Sequence, residues 1–129
     1  MRIFIPIDGS ERSLNAVRYV ANKPAFLGKD PEICIFIAME PASTRIMSAF
    51  DPDTVDAFYR EEASEVFRLV DDIFPNRSDN VTVSYGVGKI AETIVKGADD
   101  YKADFVIMGT TGKGSFDGLL MVRLSRSPS

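Results

Sequence analysis

The sequence predicts a three-layer α/β/α domain built on an open parallel sheet, and three observations carry that prediction. Four short runs rich in β-branched or aromatic residues recur along the chain, at 2–7, 33–39, 81–85 and 104–109. Segments of helical period separate them, so that strand and helix alternate as β-α-β-α-β-α-β. Three of the runs, "RIFIPI", "ICIFIAM" and "DFVIMG", are apolar at nearly every position, as suits parallel strands covered on both faces.

Each element has a local justification. The first strand ends at Ile7 and gives way to "DGSER", which puts Asp8 or Ser10 where a helix N-cap belongs and Glu11 in the first turn. Residues 11–23 then carry Leu14, Val17, Val20 and Ala21 on one stripe. After the second strand, "ASTRIMSAFDPD" (42–53) is long for a βα connection and reads as a surface loop or a short irregular helix. Residues 53–74 carry Val55, Phe58, Tyr59, Val66, Phe67, Val70 and Ile73, and Pro75 stops that helix because proline cannot continue it. The segment 89–101 carries Ile90, Ile94, Val95 and Ala98 toward the fourth strand. The final "LSRSPS" has neither helical nor strand period, so the chain divides into a single domain over 1–121 and an atypical tail over 122–129.

Composition narrows the chemistry. A chain of 129 residues with 45% hydrophobic content builds one core. Fifteen basic against 19 acidic side chains leave a net charge of −4, which supplies no broad basic field for nucleic acid or an anionic membrane. No apolar run approaches the roughly 20 residues that span a bilayer, and "MRIFIPI" lacks the pattern of a signal peptide, so the cytoplasm is expected. Histidine is absent, which removes Ser-His and Cys-His catalysis and the commonest metal ligand. The single cysteine, Cys34, lies within an apolar strand and reads as a core thiol. No metal site is evident: "EEASE" and the Asp pairs at 71–72 and 99–100 read as solvated helix faces.

Open parallel sheets take ligands beyond the carboxyl ends of their strands, where strand order reverses. Here those ends are Ile7-Asp8, Ala38-Met39, Tyr85-Gly86 and Met108-Gly109, the last leading into "GTTGKGSFDG". Neither the Walker A pattern nor Gly-x-Gly-x-x-Gly is present. Asp8 could equally be a turn and capping residue, Gly109 and Gly112 could simply form a tight turn, and Lys113 reads as a solvated side chain.

In order and spacing, "IFIPIDGSERSLNAVRYV", "ICIFIAMEP" and "YGVGKIAETIVKGADDYKADFVIMGTTGKGSFDGLL" resemble the universal stress protein family over residues 2–121. The resemblance implies a five-stranded parallel sheet flanked by four helices. It also implies, for many members, binding of ATP or another adenine nucleotide. Carried over residue by residue, the implied cofactor site places adenine and ribose between Pro6, Ile7 and Asp8 and the strand end at Ala38. Met108, Gly109 and Gly112 would approach the ribose and phosphates.

The chain departs from the family's pattern in one respect. ATP-binding members follow Gly-x-x-Gly with nine residues and then Gly-Ser or Gly-Thr. Here that count ends on Val122 and Arg123, with Arg123 as a conceivable electrostatic substitute. The family's final helix and fifth strand are accordingly expected to be missing, through truncation, divergence or a shifted reading frame, leaving the fourth strand as a bare edge.

Two functions follow as expectations. One is a small adenine-nucleotide-binding or sensing protein in stress response, homodimeric, with slow ATP hydrolysis at most. The other is a dimerising or partner-docking module of the same fold that binds no nucleotide. A receiver-like phosphorylation domain fits poorly, because the acidic pair after the first strand is lacking.

Overall fold

A computed structural model describes residues 1–110 and 118–124. Strands β1 (Arg2–Ile7), β2 (Glu32–Met39), β3 (Val81–Val87), β4 (Phe105–Gly109) and β5 (Leu119–Arg123) form one sheet in the order β3-β2-β1-β4-β5. Helices α1 (Glu11–Ala21), α2 (Thr44–Met47), α3 (Pro52–Ile73) and α4 (Ile90–Tyr101) lie between the strands in sequence. The short α2 falls inside the 42–53 connection. The three runs expected to be covered on both faces occupy the centre of the sheet as β2, β1 and β4, and the less apolar β3 lies at an edge with alternating exposure.

The twofold period of a strand divides the core into two layers. Ile3, Ile5 and Ile7 of β1 and Ile33, Ile35 and Ile37 of β2 pack with α1 and α3. Phe4, Cys34, Phe36 and Ala38 face the other way, toward Ala98 and the partly buried Ile90 and Ile94 of α4. Cys34 is a buried free thiol, as its apolar setting predicts. Ser10 is the N-cap of α1, its hydroxyl accepting from the Ser13 N–H, and Asp51 caps α3 in the same way through Thr54.

Two helical stripes pack less completely than their periodicity implies. In α3 burial begins at Ala63, and Phe58 is exposed. In α4, Val95 is exposed although it lies on the apolar stripe.

The expected bare edge beyond β4 requires correction. A fifth strand is present, and β5 pairs antiparallel with β4 from Phe105↔Arg123 to Gly109↔Leu119. Connection length decides the direction: a parallel crossover takes about a dozen or more residues, and only 110–118 separate the two strands. The Thr110 N–H donates to the Gly118 carbonyl at 2.7 Å, closing the base of the hairpin. Among the described residues no α-helix follows β4. Val122 and Arg123, in the stretch read as tail, are sheet residues.

Near the amino end of the sheet, the Arg2 guanidinium lies 4.3 Å from the centre of the Tyr101 ring and its Nε donates to the Tyr101 carbonyl. Burial pushes the Tyr101 phenol up to about 12, against the pull of Arg2 in the opposite direction. The folded protein therefore holds this proton more tightly than the unfolded chain. Stability is expected to fall as pH climbs from about 10 toward about 12. Urea titrations across that window should show the decline in the wild type and a flatter profile in Tyr101→Phe. Equal slopes would mean that the phenol is not the responsible group.

Candidate functional site

The chain leaves β1 for β2 on one side and reaches β4 on the other, so the strand order reverses between β1 and β4. Pairing between these two strands covers Ile3↔Phe105 and Phe4↔Val106 and then stops, whereas β1 stays paired with β2 as far as Ile7↔Ile37. Pro6, which lacks an N–H, removes a donor just beyond the last paired position. The carboxyl ends of β1 and β4 therefore part from each other, while each stays paired with its other neighbour.

A cleft of about 230 Å³ opens there, lined by Pro6, Ile7, Asp8, Ala38, Met108 and Gly109. Every sequence-predicted site residue among the described positions thus lines the same cleft. Gly112 lies outside the described residues. The alternation of the strands explains the lining: Phe4, Ala38 and Met108 belong to the α4 side of the sheet, and Ile90 and Ile94 of α4 close that wall. Arg12 and Ser13, from the first turn of α1, complete the opposite rim.

The sequence did not mark Arg12, Ser13, Ile90 or Ile94 as site residues. The signal was topological: a helix that follows a parallel strand begins at that strand's carboxyl end, so the first turns of α1 and α4 must sit at the same pole as Asp8 and Met108.

The Asp-Gly-Ser stretch does structural work at this rim. Asp8 Oδ1 accepts from the Ser10 N–H at 2.9 Å, an Asx turn that feeds the chain into α1 through Gly9 at φ +88°. The Asp8 N–H donates to Ser13 Oγ, which in turn donates to the Ser10 carbonyl. Burial pushes the Asp8 carboxyl upward, but hydrogen bonds from Ser10 and Ser13 and the charge of Arg12 outweigh it, so the group lies below its ordinary value. Asp8 is therefore ionised at neutral pH. These hydrogen bonds do not exhaust a carboxylate's acceptor sites, so the same residue that shapes the turn can also receive ligand donors.

Gly109 has a packing role as well as a lining one. A Cβ built on it would lie 1.7 Å from the Arg12 carbonyl oxygen and 3.0 Å from the Ser13 Cα. The missing side chain is what lets the first turn of α1 rest on the end of β4.

Arg123, the conceivable substitute for a lost phosphate partner, is placed elsewhere. It pairs with Phe105 at the far end of β4, its guanidinium 5.9 Å from that ring's centre. Four residues of strand put this position roughly 14 Å from the cleft. Among the described residues no three His, Cys, Asp or Glu side chains converge as a metal site, and no helix is long and apolar enough to cross a membrane.

The model of the universal stress protein family matches residues 1–127. The chain belongs to the universal stress protein family. This universal stress protein is 26% identical over 121 residues to universal stress protein MJ0531 of Methanocaldococcus jannaschii, covering 93% of this chain and 70% of the relative. A crystallised universal stress protein in complex with cAMP has the same fold, with a TM-score of 0.64 at 23% identity over 92% of this chain and 82% of that one. Universal stress protein UspA from Lactobacillus plantarum superposes with a TM-score of 0.63 at 16% identity, over 89% of this chain and 80% of its own.

Proposed function

We propose that this universal stress protein is a small adenine-nucleotide-binding or sensing domain acting in the cytoplasmic stress response, and that its ligand occupies the cleft between Asp8 and the end of β4. The observation that carries this reading is the convergence of Pro6, Ile7, Asp8, Ala38, Met108 and Gly109 at the point where strand order reverses. The apolar walls of Ile90, Ile94 and Met108 offer a surface for a purine face, and the Asp8 carboxylate offers acceptors for ribose hydroxyls or the adenine amine. A relative of the same fold was crystallised with cAMP, which supports an adenine nucleotide as the ligand class. The role is binding rather than catalysis. Among the described residues the one carboxylate lining the cleft is ionised and engaged in a turn, an unpromising general acid, and slow ATP hydrolysis is the most the site would sustain.

Thermal unfolding with adenosine, AMP, cAMP or ATP tests the reading. A ligand at about 100 times its dissociation constant should add about 2.7 kcal/mol of stability. Asp8→Ala should remove that response while leaving a folded protein. No shift with any adenine compound would reject nucleotide binding.

A second reading, a homodimerising or partner-docking module, has its own observation. Ile94, Val95, Ala98, Val106, Val122 and Leu124 line an apolar groove between α4 and β5, and Leu120 and Met121 of the edge strand are exposed. Sedimentation of wild type and Val122→Lys would separate the two species if that surface joins two copies.

A further inference from the structure

Resting on the nucleotide reading of the cleft, we infer that Arg12 is the phosphate-contacting residue and that the site is matched to an adenine nucleotide carrying a single phosphate, linear or cyclic. Among the described residues Arg12 is the one cation lining the cleft, and Asp8 is the one carboxylate. The remaining side chains there are apolar or hydroxyl-bearing.

The geometry gives these two charges separate tasks. Asp8 ends β1 beside Ile7, close to the apolar walls that would hold the base and sugar. Arg12 stands one turn further on, in the exposed first turn of α1, and its backbone is pressed against Gly109. The seat of α1 on β4 therefore fixes where the guanidinium starts from. Among the described residues the guanidinium forms no ion pair, in contrast to Arg18, which is held by Glu11 at 2.7 Å on the same helix. A planar guanidinium whose charge reaches Asp8 without a close ion pair suits a phosphate, which it can bind through two parallel N–H groups.

The supply of positive charge sets the ligand class. A triphosphate brings several negative charges that need several cations or a metal to balance them. Arg123 is at the other end of β4, and no metal-ligating cluster occurs among the described residues. One guanidinium supplies one bidentate contact, enough for a single phosphate group.

Binding of adenosine, AMP, cAMP and ATP to the full chain, by calorimetry without added metal, tests this. In the wild type, AMP or cAMP should bind about tenfold or more tighter than adenosine, the scale of one charge-assisted hydrogen-bonded contact. ATP should gain no more than about threefold over the better of them, since among the described residues no second cation lines the cleft. Arg12→Gln should reduce the monophosphate to the affinity that the same variant shows for adenosine. Arg12→Lys should restore part of the difference. An Arg12→Gln protein that still prefers the monophosphate would overturn the inference, as would ATP binding more than about tenfold tighter than AMP in the wild type. So would loss of the preference in Lys113→Gln but not in Arg12→Gln. If adenosine and all three nucleotides fail to bind, the nucleotide reading of the cleft fails first, and Arg12 with it. If adenosine binds and the phosphate adds nothing, that reading stands and this inference alone is lost.

Discussion

Replacing Gly109 by alanine is expected to destabilise the fold by more than about 3 kcal/mol. Overpacking a core by a methyl group usually costs about 1–3 kcal/mol, because a neighbouring side chain can rotate away. Here the obstacles are the Arg12 carbonyl, 1.7 Å from the new Cβ, and the Ser13 Cα at 3.0 Å, both backbone of α1. The helix would have to lift from β4 as a unit, and Leu14 and Val17, which it buries in the core, would move with it. The lift would also carry Arg12 away from Met108, widening the cleft that both line. Urea denaturation of Gly109→Ala should show a much lower midpoint at an unchanged slope. A loss below about 1 kcal/mol would mean that α1 does not sit where the structure has it. The same argument warns against reading a Gly109 variant as a test of phosphate contact, which is why Asp8 and Arg12, on the exposed side of the cleft, are the informative positions.

Phe4→Ala is expected to cost about 3–5 kcal/mol, the range for truncating a buried aromatic. Phe4 is fully buried, its ring centre 5.1 Å from that of Phe36 and 6.3 Å from that of Tyr101. It is the central residue of the layer between the sheet and α4. Gly97 gives the prediction a sharper form. A Cβ at Gly97 would approach Phe4 Cζ to 2.9 Å and Phe36 Cζ to 3.1 Å, so the glycine lets α4 close onto the aromatic pair. Alanine is about 1 kcal/mol better than glycine inside a helix. In the wild type crowding against Phe4 should cancel that gain; in Phe4→Ala, where the nearest ring is gone, Gly97→Ala should recover stability. A double-mutant cycle should return a coupling of about 0.5–3 kcal/mol in favour of the pair. Additive effects would mean that the helix spaces itself from the sheet by some other contact.

The centre of the sheet was legible because two local signals agree there. "RIFIPI" and "ICIFIAM" are apolar at successive positions, which marks strands buried on both faces, and each is followed by a connection ending in turn or capping residues. The last strand was not legible. "LLMVR" is a short apolar run in the place where the family resemblance puts a glycine loop leading to a helix, and a run of that length does not declare its partner or direction. Val95 and Phe58 show the same limit in helices: periodicity picks out an apolar stripe but not whether a neighbouring element reaches it.

The candidate site divides along the same line. Ile7-Asp8, Ala38 and Met108-Gly109 could be named in advance because they are strand ends, and strand ends in a doubly wound sheet gather at one pole. Arg12, Ile90 and Ile94 could not be told from ordinary helix residues without knowing which helices flank the crevice. The meaning of Gly109 also depended on the fold. Its sequence context pointed to a phosphate loop, and the structure adds that the first turn of α1 occupies the space its side chain would take.

By itself, the sequence determined the layer order, the three strands covered on both faces, the turn that opens α1 and the pole at which a ligand would lie. These follow from residue periodicity and turn chemistry, which act over a few neighbouring positions. Only the tertiary structure decided that the sheet closes with an antiparallel hairpin, that Arg123 is carried away from the cleft, and that Arg12 is brought to it. Those outcomes depend on which distant segments meet, and a connection as short as 110–118 allows the chain to turn back on itself but not to cross the sheet.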